Sequence, residues 1–296
     1  MRVKKIIWQT AILSFKILKF LKITNIKIRG NSLGNIVYYY LSPLFKPRSD
    51  SPVKIGEYLM YITSNHSVFP GMYLGSQGQD GITRLLNNIL RDGMVVFDIG
   101  AHIGFYTVIA AKKVTDKGKV YAIEPDPSNY ETLIKNIALN KCQNITALQI
   151  AVADKEGKAP LYLAPDSGQH SLYRTFQKDQ ILVKVSTIDS IIRLYKEQHI
   201  DLIIMDIEGG EDRALDGASL LLRHELPLAV IMEFSPRLLN GASVDPVAFI
   251  TKLRNLGFNI LKIDETGECL PFDEVTYVAH AGYHDFENLF CTRSKY

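Results

Sequence analysis

The stretch Val95–Thr107, VVFDIGAHIGFYT, constrains the fold of this chain more than any other feature. It begins with an apolar run that is typical of a strand buried on both faces, and the run ends at Asp98. Gly100 and Gly104 follow, and the apolar residues after Gly104 recur at helical spacing. Glycine is needed in such a turn because a Cβ would hold a ligand away from the backbone. The pattern predicts a strand–turn–helix unit that places a nucleotide-like ligand at the C-terminal edge of a parallel sheet.

The chemistry of this turn separates two classes of ligand. A dinucleotide site has the pattern G-x-G-x-x-G, with the pyrophosphate on the N-terminus of the helix. Here Asp98 ends the strand and the turn has the sequence GAHIG, so a carboxylate lies where it would repel a pyrophosphate. The same acid suits S-adenosylmethionine, which has no phosphate and carries an ammonium and a sulfonium group.

A second acid supports the ligand site. The segment KVYAI, residues 119–123, predicts the next strand, and Glu124 follows it directly. A carboxylate at that position accepts hydrogen bonds from both hydroxyls of a ribose. The alternative is a buried pair of strands followed by two solvated acids, but the register of strands, acids and glycines favours a cofactor site.

Three segments together resemble one family. VVFDIGAHIGFYT, AIEPDPSNYETLIKNIALN and LIIMDIEGGE are similar to motifs of the FkbM family of class I S-adenosylmethionine-dependent methyltransferases, and the resemblance runs from about Leu74 to Thr292. It implies a three-layer, Rossmann-like α/β fold with a seven-stranded, mostly parallel sheet, and O-methylation as the activity. Two positions depart from the family. His102 replaces a common Asn beside the cofactor's methionine part, and Ile204 replaces a Lys or Arg beside the active site.

The distribution of charge divides the chain in two. Residues 1–49 contain ten Lys or Arg and no Asp or Glu, whereas the remainder carries 24 basic and 31 acidic side chains. An acidic body argues against nucleic acid as a partner, because such binding needs a broad basic surface. The three cysteines form no C-x-x-C pair, which indicates neither a zinc site nor a disulfide framework and favours reduced thiols in the cytoplasm.

The N-terminal segment, residues 1–29, predicts a basic amphipathic helix whose lysines lie along a narrow strip. Two of them, Lys16 and Lys19, oppose a membrane-spanning helix, since each costs about 3 kcal/mol at the bilayer centre. No cleavage pattern indicates a signal peptide. Two interpretations remain open: peripheral contact with the cytoplasmic face of a membrane, or packing on the domain or on a second subunit in a homo-oligomer. Residues 30–56, rich in Gly and Pro, predict a linker, and residues 57–296 the methyltransferase domain.

The remaining pattern alternates strands and helices, which predicts a parallel sheet with right-handed crossovers. The predicted strands are 57–63, 94–98, 119–123, 144–150, 159–163, 182–187, 201–207, 228–232, 258–263, 275–279 and 287–292. The predicted helices are 81–90, 104–114, 127–139, 189–198 and 211–223. Strands 159–163 and 182–187 form a predicted hairpin beside the active site, and the last two strands a predicted antiparallel pair.

Candidate site residues cluster at the ends of the predicted strands. We expect cofactor contacts from Asp98, Gly100, Ala101, Gly104, Glu124, Pro125, Asp154 and Asp206. Transfer of a methyl group to a hydroxyl also needs a base, and the candidates are Asp206, Glu208, His102 and His170. Alternatives remain open for several of them. Asp154 also fits an ordinary turn, and His170 also fits a solvated loop residue. Glu208 or Glu211 also fits a cap of the next helix, and Asp206 with Glu233 also fits a site for a divalent cation.

These observations predict S-adenosylmethionine-dependent O-methylation of a hydroxyl on a sugar, a glycan or another small molecule. The preference for a sugar follows from the family resemblance and the predicted N-terminal helix, not from an individual residue. The rival hypotheses are a nicotinamide-dependent oxidoreductase on a similar sheet and a non-catalytic binding protein that kept the fold. No H-E-x-x-H or P-loop motif is present in the sequence, which excludes the zincin and P-loop classes.

Overall fold

A computed structural model describes residues 27–28, 31–32, 51–62, 80–173, 179–223, 227–282 and 285–293. The predicted N-terminal helix and most of the predicted linker lie outside the described residues. Among the exceptions there are two short paired strands, residues 27–28 and 31–32. The boundaries of the predicted linker and domain therefore stay predictions. In the part of the chain that is described, no helix is both long and apolar enough to cross a membrane.

The described residues form strands and helices in alternation. The strands are β1 (Lys27–Ile28), β2 (Asn31–Ser32), β3 (Val53–Ile55), β4 (Tyr58–Met60), β5 (Val95–Ile99), β6 (Lys119–Ile123), β7 (Ile145–Leu148), β8 (Ala151–Val152), β9 (Gly157–Tyr162), β10 (Gln180–Ser186), β11 (Leu202–Met205), β12 (Ala229–Phe234), β13 (Asn259–Ile263), β14 (Cys269–Pro271) and β15 (Glu287–Thr292). The helices are α1 (Gly81–Ile89), α2 (Phe105–Val114), α3 (Pro127–Leu139), α4 (Ile188–Tyr195), α5 (Glu211–Asp216), α6 (Ser219–Arg223), α7 (Pro236–Gly241), α8 (Pro246–Asn255) and α9 (Glu274–His280).

One large mixed sheet organises the domain. Its eight strands follow the order β14-β13-β15-β12-β11-β5-β6-β7, with β5, β6, β7, β11 and β12 mutually parallel. Strand β15 is antiparallel to both of its neighbours, β12 and β13. This is the three-layer, Rossmann-like α/β arrangement that the sequence predicted, with β14 added at the edge beyond the expected seven strands.

Both faces of the sheet are buried. Along β5 the side chains of Val95, Phe97 and Ile99 join the core beneath the later helices, while Val96 joins the core beneath α1 and α2. All four are at most 6% exposed, which explains why the segment is a continuous apolar run. The strand includes Ile99, so Asp98 lies within it and points to the same face as Val96.

The C-terminal part differs most from the prediction. Residues 275–279 belong to helix α9 and not to the predicted strand, although Val275, Tyr277 and Val278 favour β structure. Asp273 caps this helix by accepting hydrogen bonds from the backbone N–H and the hydroxyl of Thr276, at 3.0 and 2.7 Å. The predicted antiparallel pair of strands 275–279 and 287–292 is therefore wrong, and β15 pairs with β12 and β13 instead.

The predicted helix 211–223 is also interrupted. It divides into α5 and α6 around Gly217, whose carbonyl accepts the backbone N–H of Asp189 at 3.0 Å. A Cβ on Gly217 would lie 2.2 Å from the carbonyl oxygen of Ala153, so this contact needs glycine. Through Gly217, the break between α5 and α6 packs the second half of the chain against Ala153, which follows β7 and β8.

The predicted hairpin is present. Strands β9 and β10 pair antiparallel, and β8 adds a parallel strand on the other side of β10. A small core of its own, which includes Leu161, Val183 and Val185, holds this three-stranded sheet together. The hairpin is thus a compact unit fixed to the end of the first half of the large sheet.

Candidate functional site

The glycine turn after β5 brings the two halves of the chain into contact. Gly100 has φ of +84°, and a Cβ there would lie 1.9 Å from the carbonyl oxygen of Asp206. Gly104 has φ of +85° and is the N-cap residue of helix α2, and a Cβ there would lie 2.4 Å from Cδ1 of Leu133. Both glycines are therefore required by the backbone conformation and by close packing, as the sequence pattern suggested.

A cleft opens at the C-terminal edge of the parallel strands, beside this turn. Its floor consists of residues that follow β5, β6, β7 and β11, and its opposite wall comes from the hairpin. The lining residues are Ile99, Gly100, His102, Ile123, Glu124, Pro125, Ile150, Ala151, Val152, Leu161, Ser167, Gly168, His170, Ser171, Leu172, Tyr173, Asp206, Ile207 and Gly210. Lysine and arginine are absent from this set, which covers described residues alone.

Glu124 is a buried acid in the cleft lining that binds two backbone N–H groups. Its Oε2 accepts the backbone N–H of His102 and its Oε1 accepts that of Asp126, both at 2.9 Å. The residue is 5% exposed, and burial raises the pKa of the carboxyl to about 7 despite these two bonds. Each oxygen retains a lone pair, so the carboxylate can accept hydroxyl groups from a ligand in the cleft.

Asp98 lies behind the cleft instead of in its lining. Its carboxyl accepts a hydrogen bond from the hydroxyl of Thr107 on helix α2 and is 3% exposed. Burial, with the nearby charge of Asp206 as a smaller contribution, raises the pKa of Asp98 to about 7. A direct contact between Asp98 and a cofactor stays a prediction, and the acid contributes negative charge to this end of the cleft.

The loop after β11 carries three acids in different environments. Asp206 is exposed and lines the cleft. Glu208 is 8% exposed, does not line the cleft and has φ of +57°. Glu211 is 3% exposed and accepts the backbone N–H groups of Ile207 and Gly209, both at 3.3 Å, so its side chain binds the loop before α5 and does not cap the helix as predicted. Burial raises the pKa of Glu211 to about 7.

The hairpin contributes the segment Ser167–Tyr173, which crosses the cleft. Its first residue, Ser167, contacts the glycine turn after β5, since its hydroxyl lies 2.9 Å from Nε2 of His102. The carbonyl of Ser167 accepts a hydrogen bond from Nδ2 of Asn129 on helix α3 at 2.9 Å. Farther along, the hydroxyl of Ser171 donates to the carbonyl of Glu208 at 2.8 Å. Three separate elements therefore hold the crossing segment in place.

The sequence-predicted residues fall into two groups. The cleft is lined by Gly100, His102, Glu124, Pro125, His170 and Asp206. The residues outside its lining are Asp98, Ala101, Gly104, Asp154 and Glu208. Of these, Asp154 faces Arg213, with 3.9 Å between Oδ2 and Nη1, so its contact with an adenine ring stays a prediction. Glu233 lies inside β12 opposite Asn288, rather than after the strand.

Sequence reasoning missed Ser167, Ser171 and Tyr173 as cleft residues. Tyr173 is half-buried, and a Cβ added to Gly210 would lie 3.0 Å from its ring, so the crossing segment packs closely on the loop after β11. The one available signal was the polar sequence SGQHS in the middle of a hairpin otherwise built for packing. No set of three or more His, Cys, Asp or Glu side chains suited to a metal ion occurs within the described ranges.

Comparison with known proteins agrees with this architecture. The sequence model of the Methyltransferase FkbM domain matches residues 98–260, which is more than half of the 296-residue chain. The match begins at Asp98 and includes the glycine turn, Glu124, the hairpin and the loop after β11.

More distant relatives match over shorter spans. Methyltransferase sdnD from Sordaria araneosa is 25% identical over 154 residues, which are 41% of this chain and 59% of that protein. The tRNA(Phe) (4-demethylwyosine(37)-C(7)) aminocarboxypropyltransferase from Methanocaldococcus jannaschii is 37% identical over 83 residues, which are 28% of this chain and 33% of that protein. The chain thus spans less than two thirds of the length of these relatives. A crystal structure of Methyltransferase FkbM from Methylobacillus flagellatus KT superposes with a TM-score of 0.41 and 20% identity, covering 69% of this chain and 45% of that one.

Proposed function

This chain belongs to the FkbM methyltransferase family, and we propose that it transfers the methyl group of S-adenosylmethionine to a hydroxyl group of a sugar, a glycan or another small molecule. The domain is the S-adenosylmethionine-dependent methyltransferase domain of that family. The proposal for the whole protein rests on one observation above others: acidic residues without lysine or arginine line a cleft at the carboxyl edge of the parallel strands.

The cleft fits this cofactor in four respects. Gly100 leaves the turn without a side chain, so a ligand can approach the backbone. Glu124 presents carboxylate oxygens that two backbone N–H groups already orient, which suits the hydroxyls of a ribose. Asp206 and the buried Asp98 supply negative charge toward an ammonium and a sulfonium group. The apolar residues Ile150, Ala151 and Val152 offer a surface for an adenine ring.

The cofactor supplies an activated methyl group, so the protein must position the acceptor, exclude water and remove one proton. Asp206 is the acid that lines the cleft and is exposed. We propose that its carboxylate accepts the proton of the acceptor hydroxyl as the new bond forms. Glu208 is buried outside the lining, and His102 is hydrogen-bonded to Ser167, so both are weaker candidates for the base.

The rival hypothesis of a nicotinamide-dependent oxidoreductase is less consistent with the cleft. A dinucleotide carries a pyrophosphate, which favours cationic side chains and a free helix N-terminus. The described lining contains no lysine or arginine, and the carboxylate of Asp206 would repel the phosphates. A non-catalytic protein with the same fold would bind the cofactor without transferring its methyl group.

Two measurements test the proposal. Isothermal titration calorimetry should detect binding of S-adenosylhomocysteine and none of NAD. Transfer of a labelled methyl group should then be screened over fractionated host glycans and lipids, with products analysed for new methyl ethers. Binding of NAD alone would support the oxidoreductase, and binding of S-adenosylhomocysteine without any labelled product would support the non-catalytic protein.

A pair of variants tests the role of the base. Asp206→Asn removes the carboxylate but keeps the size of the side chain, and it should lower kcat by about 10²- to 10⁴-fold. Asp116→Asn is the matched control, because Asp116 is exposed and does not line the cleft, and its kcat should stay within about twofold of the wild type. Equal kcat values for the two variants would show that Asp206 is not the base.

We also propose that residues 1–29 bring the enzyme to an anionic membrane surface. The support is the sequence pattern alone: a wide apolar face, a strip of lysines and no acidic residue in residues 1–49. The intact protein should sediment with anionic liposomes, and a version without residues 1–30 should stay in the supernatant. Equal sedimentation of both proteins would leave packing on the domain or on a second subunit as the explanation.

A further inference from the structure

The crossing segment Ser167–Tyr173 places one histidine, His170, directly in the lining of the cleft. The hydrogen bonds of Ser167 and Ser171 hold the segment on both sides of this histidine. Leu161 and Leu172 of the same hairpin also line the cleft and give it an apolar surface. A side chain held in this way is oriented before any ligand binds.

The hydrogen bonds of His170 determine its tautomer. Its Nδ1 lies 2.9 Å from the backbone nitrogen of Ala164, which can only donate. Nδ1 therefore carries the lone pair, and in the neutral ring the hydrogen is on Nε2. The side chain is 12% exposed, and burial lowers the pKa of His170 below its ordinary value, so the ring is neutral near pH 7.

The Nε2–H group lacks an acceptor within hydrogen-bond distance among the described residues. The nearest acid, Asp126, has its Oδ2 4.0 Å away. The other carboxylate oxygen of Asp126 is engaged at the start of helix α3, where it accepts the backbone N–H groups of Ser128 and Asn129 at 3.0 and 2.9 Å. A mostly buried donor that faces a ligand cleft is expected to find its partner in the ligand.

We propose that His170 is a cofactor-recognition residue whose Nε2–H donates a hydrogen bond to the adenosyl part of S-adenosylmethionine. This inference rests on the proposed function. The adenosyl part is indicated because Asp126, beside the ring, is two residues after Glu124, and Ile150, Ala151 and Val152 line the same cleft. A neutral N–H donor suits ribose oxygens and adenine ring nitrogens, which are neutral acceptors.

The same geometry argues against His170 as the base of the reaction. A neutral histidine accepts a proton through its lone-pair nitrogen, and here that nitrogen is Nδ1, which already accepts the N–H of Ala164. Proton abstraction would leave the backbone N–H of Ala164 without its partner. A donor role keeps every one of these hydrogen bonds.

The test compares two ligands and three variants by calorimetry. S-Adenosylhomocysteine contains the amino acid part, whereas 5′-methylthioadenosine contains the adenosyl group without it. His170→Leu, which keeps the bulk and loses the donor, should bind both ligands about three- to tenfold more weakly than the wild type. His170→Gln, which restores an N–H donor, should recover most of that loss. His280→Leu is the matched control, since His280 is exposed on helix α9, and it should bind both ligands like the wild type.

A spectroscopic measurement accompanies the binding data. Nitrogen-15 NMR of the histidines should show His170 as the neutral Nε2–H tautomer, with its Nε2 signal shifted when 5′-methylthioadenosine binds. This readout reports the contact itself and would not respond to a loss of fold stability.

The outcomes separate this inference from the proposed function. If the wild type binds neither ligand, the proposed function fails and this inference fails with it. If the wild type binds both and His170→Leu binds both equally well, His170 does not contact the cofactor. A loss limited to S-adenosylhomocysteine would place the contact at the methionine part and overturn the assignment. A His170→Gln variant that binds normally and loses turnover would make His170 the base.

Discussion

The close approach of Gly100 to Asp206 leads to a quantitative prediction about two alanine variants. Gly93 and Gly100 have almost the same positive φ, +87° and +84°. A Cβ on Gly93 would have no heavy atom within 4 Å, whereas one on Gly100 would lie 1.9 Å from the carbonyl oxygen of Asp206. Gly93→Ala therefore measures the cost of the left-handed conformation alone, and Gly100→Ala measures that cost together with the clash.

The two costs can be estimated separately. The left-handed conformation costs an alanine about 1–2 kcal/mol in free energy of unfolding. Overpacking adds about 1–3 kcal/mol, and the upper end applies because a backbone carbonyl cannot rotate away as a side chain can. Gly100→Ala should thus be about 3 kcal/mol less stable than Gly93→Ala, which corresponds to a melting temperature roughly 6–12 °C lower.

Thermal unfolding followed by circular dichroism would measure this difference, and calorimetry would measure affinity for S-adenosylhomocysteine. Gly100→Ala should also weaken that affinity at least about tenfold, because the backbone of Asp206 must shift. Gly93 lies before β5, at the opposite edge of the sheet, so Gly93→Ala should bind like the wild type. Equal melting temperatures for the two variants would refute the close approach between the two halves of the chain.

Three further predictions concern charge and the crossing segment. Burial raises the pKa of Glu124 and Asp98 to about 7, and a cationic cofactor favours their ionised forms, so affinity for S-adenosylmethionine should increase from about pH 6 to pH 8. Calorimetry at several pH values tests this, and constant or falling affinity would contradict it. Ser171→Ala leaves the backbone groups that Ser171 satisfies without partners and should cost about 1–3 kcal/mol, whereas the exposed Ser128→Ala should unfold like the wild type in the same urea titration. A Ser171→Ala variant as stable as Ser128→Ala would show that the crossing segment is not held through this hydroxyl. Asp154→Asn should leave affinity for S-adenosylhomocysteine within about twofold of the wild-type value. A larger loss of affinity would indicate that Asp154 contacts the adenine ring.

The parts of the fold that the sequence predicted well are those with dense local patterns. The runs VVFDI and LIIM are buried on both faces and became β5 and β11 within a residue or two of the predicted bounds. Helix α3 has its predicted bounds, Pro127–Leu139, because a proline at its first turn and the cap at Asp126 mark its start. Local signals of this kind need no knowledge of the remaining chain.

The errors occurred where distant contacts decide the outcome. Strand β14 contains Pro271 and is only three residues long, so it carries little pattern and depends on pairing with β13. Helix α9 has residues that favour strands, and the cap at Asp273 outweighs them. The cleft shows the same division. Glu124 and Asp206 follow apolar runs and were found, whereas Ser167 and Ser171 reach the cleft only because the hairpin folds back over it.

The neighbouring positions of β5 and β11 have a consequence for the integrity of the protein. Each half of the chain supplies one of these strands and one side of the cleft, and the carbonyl of Asp206 lies directly against Gly100. Neither half would therefore recognise the nucleoside alone, and a polypeptide cleaved in the turn before Gly157 should recover binding only when both fragments are mixed.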